Sequence, residues 1–532
     1  MYPAGIPYRQ TKIEGAFDAI VIGSGIGGLT TAALLAKHAS RRVLVLERHY
    51  TAGGFTHAFR RPGFEWDVGL HYVGELRDPA SAVSRVFAYL TEGRLPWAPM
   101  PEVYDRVLLG RNRYDFPTGA ARFREQLKSY FPKEIRAIDG YLSTVNSCAR
   151  WSGGYFAEKS LPQFLSRSLG GLLRWPFLRH AGRTTADVLR EFTSNPELAG
   201  VLTAQWGDYG LPPEQSSFGI HAIIVRHYFE GASYPAGGAS RIAHSIEPVI
   251  RRAGGMIVTS AEVAQILTES GGAIGVRMAD GREFRAAIVV SDAGARNTLR
   301  MLPPNLPDVA TESAALDSLP LSMAHLCLYV GLDRTAAELG LEGTNLWINP
   351  GPAHDENLHR FLQDPSQPFP FVYISFPSAK DPEFSGRYPG RGTVELISPA
   401  NYDWFRPWEN DRWRKRGSEY DALKQKFAER FLAVLYAQVP STRGHVALAE
   451  LSTPLSTRHF ANYPQGEIYG LGPTPARFTL RSLGPRTPVR NLFLTGQDAA
   501  VLGVVGAAMG GVLASSVILQ KNMLSVVTRK HI

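Results

Sequence analysis

Gly23-Ser24-Gly25-Ile26-Gly27-Gly28 is a glycine loop of the G-x-G-x-x-G type, and an acid, Glu47, stands 24 residues after Gly23. Glycines at this spacing suit a pyrophosphate. Gly23 permits a tight turn, Gly25 lets the backbone approach the phosphates, and Gly28 lets the following helix pack closely on its strand. The free N–H groups and positive dipole end of that helix favour the anion. A carboxylate at the position of Glu47 accepts hydrogen bonds from ribose hydroxyls and disfavours a 2′-phosphate. The chemistry is dinucleotide binding, with Arg48 beside the acid.

The elements that must position these groups are readable around them. Phe17–Ile22 is an apolar run suited to a buried parallel strand, Leu29–Lys37 to a helix, and Arg42–Leu46 to a second strand that delivers Glu47. Later, Gly254–Ala293 reads as strands separated by turns at Gly271-Gly272 and Ala279–Arg282. On pattern alone that block is either a return to the nucleotide sheet or an unrelated meander. Asn491–Asp498 reads as a short buried strand ending in Gly496 and Asp498, and a glycine-rich apolar helix follows Gly503.

The chain has 532 residues, 44% hydrophobic and 20% charged, enough for two domains. Two cysteines, Cys148 and Cys327, are too few for a disulfide framework, an iron–sulfur cluster or a four-thiolate zinc site, and they suit a reducing compartment. The net charge of +9 is scattered, which argues against nucleic acid and fits an anionic lipid surface or lipid substrate equally well. Met1–Gly15 lacks an apolar stretch, so no signal peptide and a cytoplasmic location are expected. Ala19–Ala36 and Ala499–Leu519 are free of charge, but their glycines suit cofactor packing better than a membrane span. Leu161–Arg183 alternates Leu, Phe and Trp175 with arginines. That pattern fits either a peripheral membrane contact or an ordinary packed helix with arginine at its rim. No metal or hydrolase motif is present.

Gly53-Gly54-Phe55, followed by an extended return through Asp67-Val68-Gly69, resembles flavoproteins of the amine oxidase and phytoene desaturase group. Gly69–Gly74, His221–Tyr228, Tyr234–Gly238, Phe376–Pro382 and Asn491–Asp498 with Gly503–Leu519 are similar to the retinol saturase branch, with carotenoid isomerases and desaturases as neighbours. The resemblance covers Phe17 to Leu524. It implies an α/β fold: a discontinuous Rossmann-like FAD-binding domain on a parallel sheet, with an inserted α+β substrate domain. The FAD-binding parts would be residues 14–78, 232–301 and 485–525; a mainly helical region 79–231 and an antiparallel sheet with helices at 302–484 would form the substrate domain. FAD would be bound non-covalently. Gly53, Gly54 and Phe55 would bring the chain back along it, Val263 would meet the adenine, and Gly496 and Asp498 the pyrophosphate–ribitol region. Val504, Val505 and Gly506 would start a helix under the pyrimidine edge, whose dipole stabilises a reduced flavin. Vertebrate members carry an N-terminal membrane-targeting segment that this chain lacks, so residence in the endoplasmic reticulum is not expected.

The expected activity is saturation or desaturation of C=C bonds in a long apolar substrate, a retinoid, carotenoid or unsaturated acyl chain. A redox-neutral carotenoid isomerase, a flavin amine oxidase and a non-catalytic flavin-bearing lipid binder are the alternatives. Saturation needs a hydride and a proton on adjacent carbons. His71 and Tyr72 are the first candidates for proton donor, because in the family this segment passes near the flavin; His221, His227 and Tyr228 follow. Each histidine has a competing structural role as a buried hydrogen-bonding residue. Gly470-Leu471-Gly472-Pro473 is no second nucleotide fingerprint, since its prolines oppose a helix, and the electron donor or acceptor is left open.

Overall fold

The computed structural model describes residues 4–304 and 306–529. At its centre a six-stranded sheet runs in the order Ile6–Pro7, Met256–Thr259, Val43–Leu46, Ala19–Ile22, Ile288–Ser291 and Leu492–Leu494. Every neighbouring pair is parallel. Ala19–Ile22, Val43–Leu46 and Ile288–Ser291 are buried at every residue, as apolar strands covered on both faces must be. The block after Gly254 satisfies both of its readings. Its first and last strands enter the parallel sheet, and Val263–Glu269, Gly272–Met278 and Glu283–Arg285 form an antiparallel meander between them.

Two helices from opposite ends of the chain, Ile26–Ala39 and Gly503–Leu519, pack together against this sheet. Their glycines make the approach feasible. A Cβ on Gly510 would run into the backbone of Gly496, and one on Gly511 into Thr30 and the Gly27 carbonyl. The Thr31 and Thr495 hydroxyls meet at 2.9 Å in the same seam.

A seven-stranded, mainly antiparallel sheet forms the second body. Alternation along its strands separates two faces. Leu328, Val330, Ile374 and Leu396 pack under the helix Gly417–Gln438, and Cys327, Tyr329, Trp347, Tyr373 and Ile397 face the other way. The 79–231 region holds the expected helices, among them Ile135–Ser160, Gln163–Ala181 and Phe218–His227. It also lends two strands, Val103–Leu109 and Asn112–Pro117, to this sheet, where Val103–Leu109 runs parallel to Asn345–Asn349. Asp105 and Arg106 interrupt the apolar pattern of the first strand; Asp105 is satisfied by Asn345 of the neighbouring strand and Arg106 by Asp115 across the hairpin.

On the helix Gln163–Ala181, Phe164, Leu172 and Trp175 point outward, whereas Phe177 is buried against Tyr155 and Phe478. Among the described residues no helix is long and apolar enough to cross a membrane.

Replacing Gly510 by alanine overpacks the seam between the first and last helices. Overpacking of this kind costs about 1–3 kcal/mol. A lower thermal unfolding midpoint is expected, and an unchanged one would show that the seam opens freely.

Candidate functional site

The glycine loop leaves its strand at Gly23, whose φ of +94° lies in the region that favours glycine. Glu47 holds the loop from beneath. Its Oε2 accepts from the Ser24 N–H at 2.8 Å and the Ser24 hydroxyl at 2.7 Å, and its Oε1 accepts from the His49 N–H at 2.7 Å. Ser24 thus serves the acid and, through a bond from the Gly53 N–H at 3.2 Å, the Gly53-Gly54 turn. Gly54 then passes so close to the Gly25 Cα that a side chain there would collide with it. Asp292, half-buried at the helix start, accepts from the Gly28 N–H at 2.9 Å; desolvation there, with Glu47 and Asp498 nearby, pushes its carboxyl up to about 7.

A cavity of 1340 Å³ extends from this cradle to the seven-stranded sheet. Gly23, Gly25, Ile26, Glu47, Arg48, Gly53, Gly54 and Phe55 line its first part, joined by Val263, Asp498 and Val504. The other expected residues stand behind the wall and shape it. Ser24 grips Glu47, Gly27 packs on Gly496, Gly28 donates to Asp292, Gly506 abuts the Val501 carbonyl, and Val505 packs in the first turn of the last helix. Among the buried polar atoms on the wall that make no hydrogen bond within the described residues are Asp498 Oδ1, an acceptor with Arg477 Nη2 at 3.4 Å as its ion-pair partner, and Arg48 Nη1, a donor. Groups with unused hydrogen-bonding capacity, beside a glycine cradle at a helix start, fit the hydroxyls and phosphates of FAD.

The inner part of the cavity is an aromatic chamber bounded by Tyr329, Trp347, Phe371 and Tyr373, with Met323, Ile397 and Ile468. His71 stands on its wall with Nδ1 2.9 Å from Glu395 Oε2. Strand register puts Glu395 between Tyr329 and Ser375, fully buried. Burial pushes its carboxyl up to about 8, and burial together with Lys380 brings the His71 imidazole down to about 3. Both are therefore neutral at pH 7. A protonated Glu395 donates to Nδ1, which leaves the imidazole hydrogen on Nε2. Lys380, brought down to about 7 by burial, donates from Nζ to the His71 carbonyl at 3.0 Å and to Ser375 Oγ at 2.8 Å, and it also bonds Asn345 Oδ1.

Tyr72 lies off the wall, between Asp105 and Asp208. His221 is buried between the Tyr141 and Tyr209 hydroxyls at 2.8 and 3.1 Å. His227 Nε2 accepts from the Gly74 N–H at 2.8 Å, and Tyr228 stacks on Tyr72. These four side chains support the chamber from behind. Asp67 does the same: it accepts from the Tyr234 hydroxyl and from the Ala239 N–H, while Asp381 accepts from the Gly237 N–H at 2.8 Å. Three separated stretches, 67–74, 234–238 and 376–382, are thereby joined. Sequence reasoning missed Asp105, Asp208, Lys380 and Glu395. An acid inside the otherwise uncharged strand Gly392–Ala400 was the available signal. Among the described residues no group of His, Cys, Asp or Glu is placed to hold a metal ion.

The flavin-containing amine oxidoreductase family matches residues 26–519. The all-trans-retinol 13,14-reductases of Danio rerio and Homo sapiens are each 36% identical to the chain, over 97% of its length and 88% of theirs. A chloroplastic prolycopene isomerase of an Oncidium hybrid cultivar is 26% identical over 96% of the chain and 86% of its own length. Among solved structures, an oxidoreductase from Methanosarcina mazei matches 94% of the chain and 100% of itself, with a TM-score of 0.63 and 19% identity. Cyclohexylamine oxidase from Brevibacterium oxydans matches 97% and 99%, with a TM-score of 0.60 and 17% identity. Both share the fold.

Changing Asp498 to alanine removes the Oδ1 acceptor from the wall. A charged hydrogen bond contributes about 1.5–3 kcal/mol, so FAD should bind roughly tenfold more weakly or worse. Visible absorbance after gel filtration measures this; full retention would remove Asp498 from the cofactor site.

Proposed function

The chain belongs to the flavin-containing amine oxidoreductase family and is an FAD-dependent oxidoreductase; from that premise we propose that it saturates or desaturates C=C bonds of a long apolar isoprenoid, with a retinoid first. The carrying observation is the aromatic chamber that continues from the cofactor cradle, with His71 and Glu395 paired on its wall. Similarity to retinol reductases along nearly the whole chain supports the substrate class. In this reading residues 14–78, 232–301 and 485–525 form the flavin half, and 79–231 with 302–484 the substrate half.

Bound FAD supplies the two-electron redox chemistry. Gly23–Gly28, Gly496 and Asp498 hold its pyrophosphate and ribitol, Glu47 and Arg48 its adenosine ribose, Val263 its adenine, and the helix start at Val504 and Val505 its pyrimidine edge. The chamber excludes water and aligns the polyene. His71 then gives its Nε2 proton to the substrate carbon while Glu395 passes its own proton to Nδ1. The charge left on Glu395 lies in the field of Lys380.

All-trans-retinol added to anaerobically photoreduced enzyme should reoxidise the flavin and give a saturated product. Isomerised product without reoxidation would instead support the isomerase reading, which the prolycopene isomerase similarity favours. His71→Ala should lower turnover about 100-fold or more with FAD retained. Glu395 must carry its proton, so the rate should hold at lower pH and fall as pH rises through about 8. In Glu395→Gln that fall should vanish; a wild-type rate that stays level through this range removes the relay.

Membrane contact is proposed for the helix Gln163–Ala181, on a cytoplasmic protein. Phe164, Leu172 and Trp175 are 70%, 75% and 63% exposed, and Arg179 lies over the Trp175 ring. Exposed apolar residues beside arginine suit an interface of acyl chains and anionic head groups. Flotation with anionic liposomes should weaken in Leu172→Ala/Trp175→Ala; unchanged flotation would discard the contact.

A further inference from the structure

Asp208 ends the short turn Trp206–Asp208 at the chamber wall. Gly207 before it lies flat against the Trp347 and Phe371 rings, with no room for a side chain. Asp208 Oδ2 is 2.8 Å from the Tyr72 hydroxyl, and the same hydroxyl is 2.9 Å from Asp105 Oδ2. A phenol has one hydrogen to give. Two carboxyl oxygens bonded to it therefore require that one carboxyl supply a hydrogen of its own.

Asp105 is already well supplied with donors. Asn345 Nδ2 at 2.7 Å, Gln205 Nε2 at 2.6 Å and Trp347 Nε1 at 3.1 Å all bond it. It takes the Tyr72 hydrogen as well. Burial raises its carboxyl, but these four donors oppose that push, where Asp208 has Tyr72 alone, and Asp105 stands as the carboxylate. Asp208 is then the neutral acid, donating from Oδ2 to the Tyr72 oxygen. Burial and the Asp105 charge hold its carboxyl well above the usual carboxylate range. Asp208 lines the chamber, and its other oxygen, Oδ1, is a carbonyl-type acceptor with no hydrogen-bond partner among the described residues.

We infer, on the reading of the chain as a polyene oxidoreductase, that Asp208 Oδ1 receives the hydroxyl end of the substrate, so that the site selects alcohol-headed polyenes over their aldehydes, acids and hydrocarbons. A hydroxyl can donate to this acceptor. An aldehyde presents only acceptors of its own. A carboxylate brings a charge that a neutral acid cannot balance in an apolar chamber, and an ammonium finds no counter-charge there.

The test compares the flavin-loaded wild type with Asp208→Leu and Asp208→Asn. Probes are all-trans-retinol, the corresponding aldehyde and acid, and the hydrocarbon lacking the head group. Dissociation constants come from quenching of tryptophan fluorescence, which places no demand on turnover. In the wild type the alcohol should bind about tenfold more tightly than the aldehyde or the hydrocarbon, the worth of one hydrogen bond. Asp208→Leu should erase that advantage without weakening the hydrocarbon. Asp208→Asn should keep it, because the carboxamide can donate to Tyr72 and present an acceptor to the chamber. Equal affinity for alcohol and hydrocarbon in the wild type, or loss of the advantage in Asp208→Asn, overturns the assignment. Failure of the polyene reading itself would look different: no probe of any head group would quench any of the flavin-loaded proteins.

Discussion

Gly27 and Gly496 lie backbone to backbone, and a Cβ on Gly27 would fall on the Gly496 Cα. Gly510 presses on the Gly496 carbonyl from the last helix, and Asp292 reaches the same point from the strand Ile288–Ser291. Segments from both ends and the middle of the chain therefore meet with almost no side-chain volume between them. That closeness carries the helix start, the Asp498 carboxylate and the Gly28 N–H into one cradle. Cores repack when side chains change, but contacts made by backbone atoms cannot. The rest of the fold is hung from this junction. The second sheet reaches the cofactor cavity only because the long excursions leave and re-enter the parallel sheet beside it.

The chamber obeys a different rule. It holds acids in an apolar setting, and isolated buried charges are expensive. Burial pushes Asp208, Glu395 and Asp105 alike toward the neutral form. Asp105 keeps its charge through four donors. Neutral acids are useful in such a place, since they can donate or accept hydrogen bonds without attracting water.

The parallel sheet and cradle were legible because glycine position and apolar runs are local signals. The strand–loop–helix from Phe17, the acid at Glu47 and the terminal glycine helix each report their own geometry within a few residues. The resemblance extended the reading to the substrate half, yet the hairpin Val103–Pro117 was hidden. Its first strand carries Asp105 and Arg106, whose partners Asn345, Gln205 and Asp115 lie mostly far away in sequence. The chamber acids were hidden for the same reason. Whether Glu395 is a strand's solvent residue or a histidine's partner depends on a contact 324 positions away. Phe177 and Trp175, two residues apart on one helix, looked equivalent in composition; helical geometry turns one into the core and the other outward.

Lys380 links the two polar walls of the chamber. Its ammonium holds the His71 carbonyl and Ser375 on one side, and Asn345, the donor to Asp105, on the other. The charge on Asp105 and a charge arising on Glu395 during proton transfer are therefore felt by the same cation. Burial weakens the hold of Lys380 on its proton, and the surrounding carboxyls strengthen it, Glu395 first and then Asp105. Whatever neutralises one wall loosens the proton on the other. The group that positions the histidine and the network that keeps Asp208 neutral thus share one electrostatic balance, and the stretch Phe376–Pro382 supplies the cation on which that balance turns.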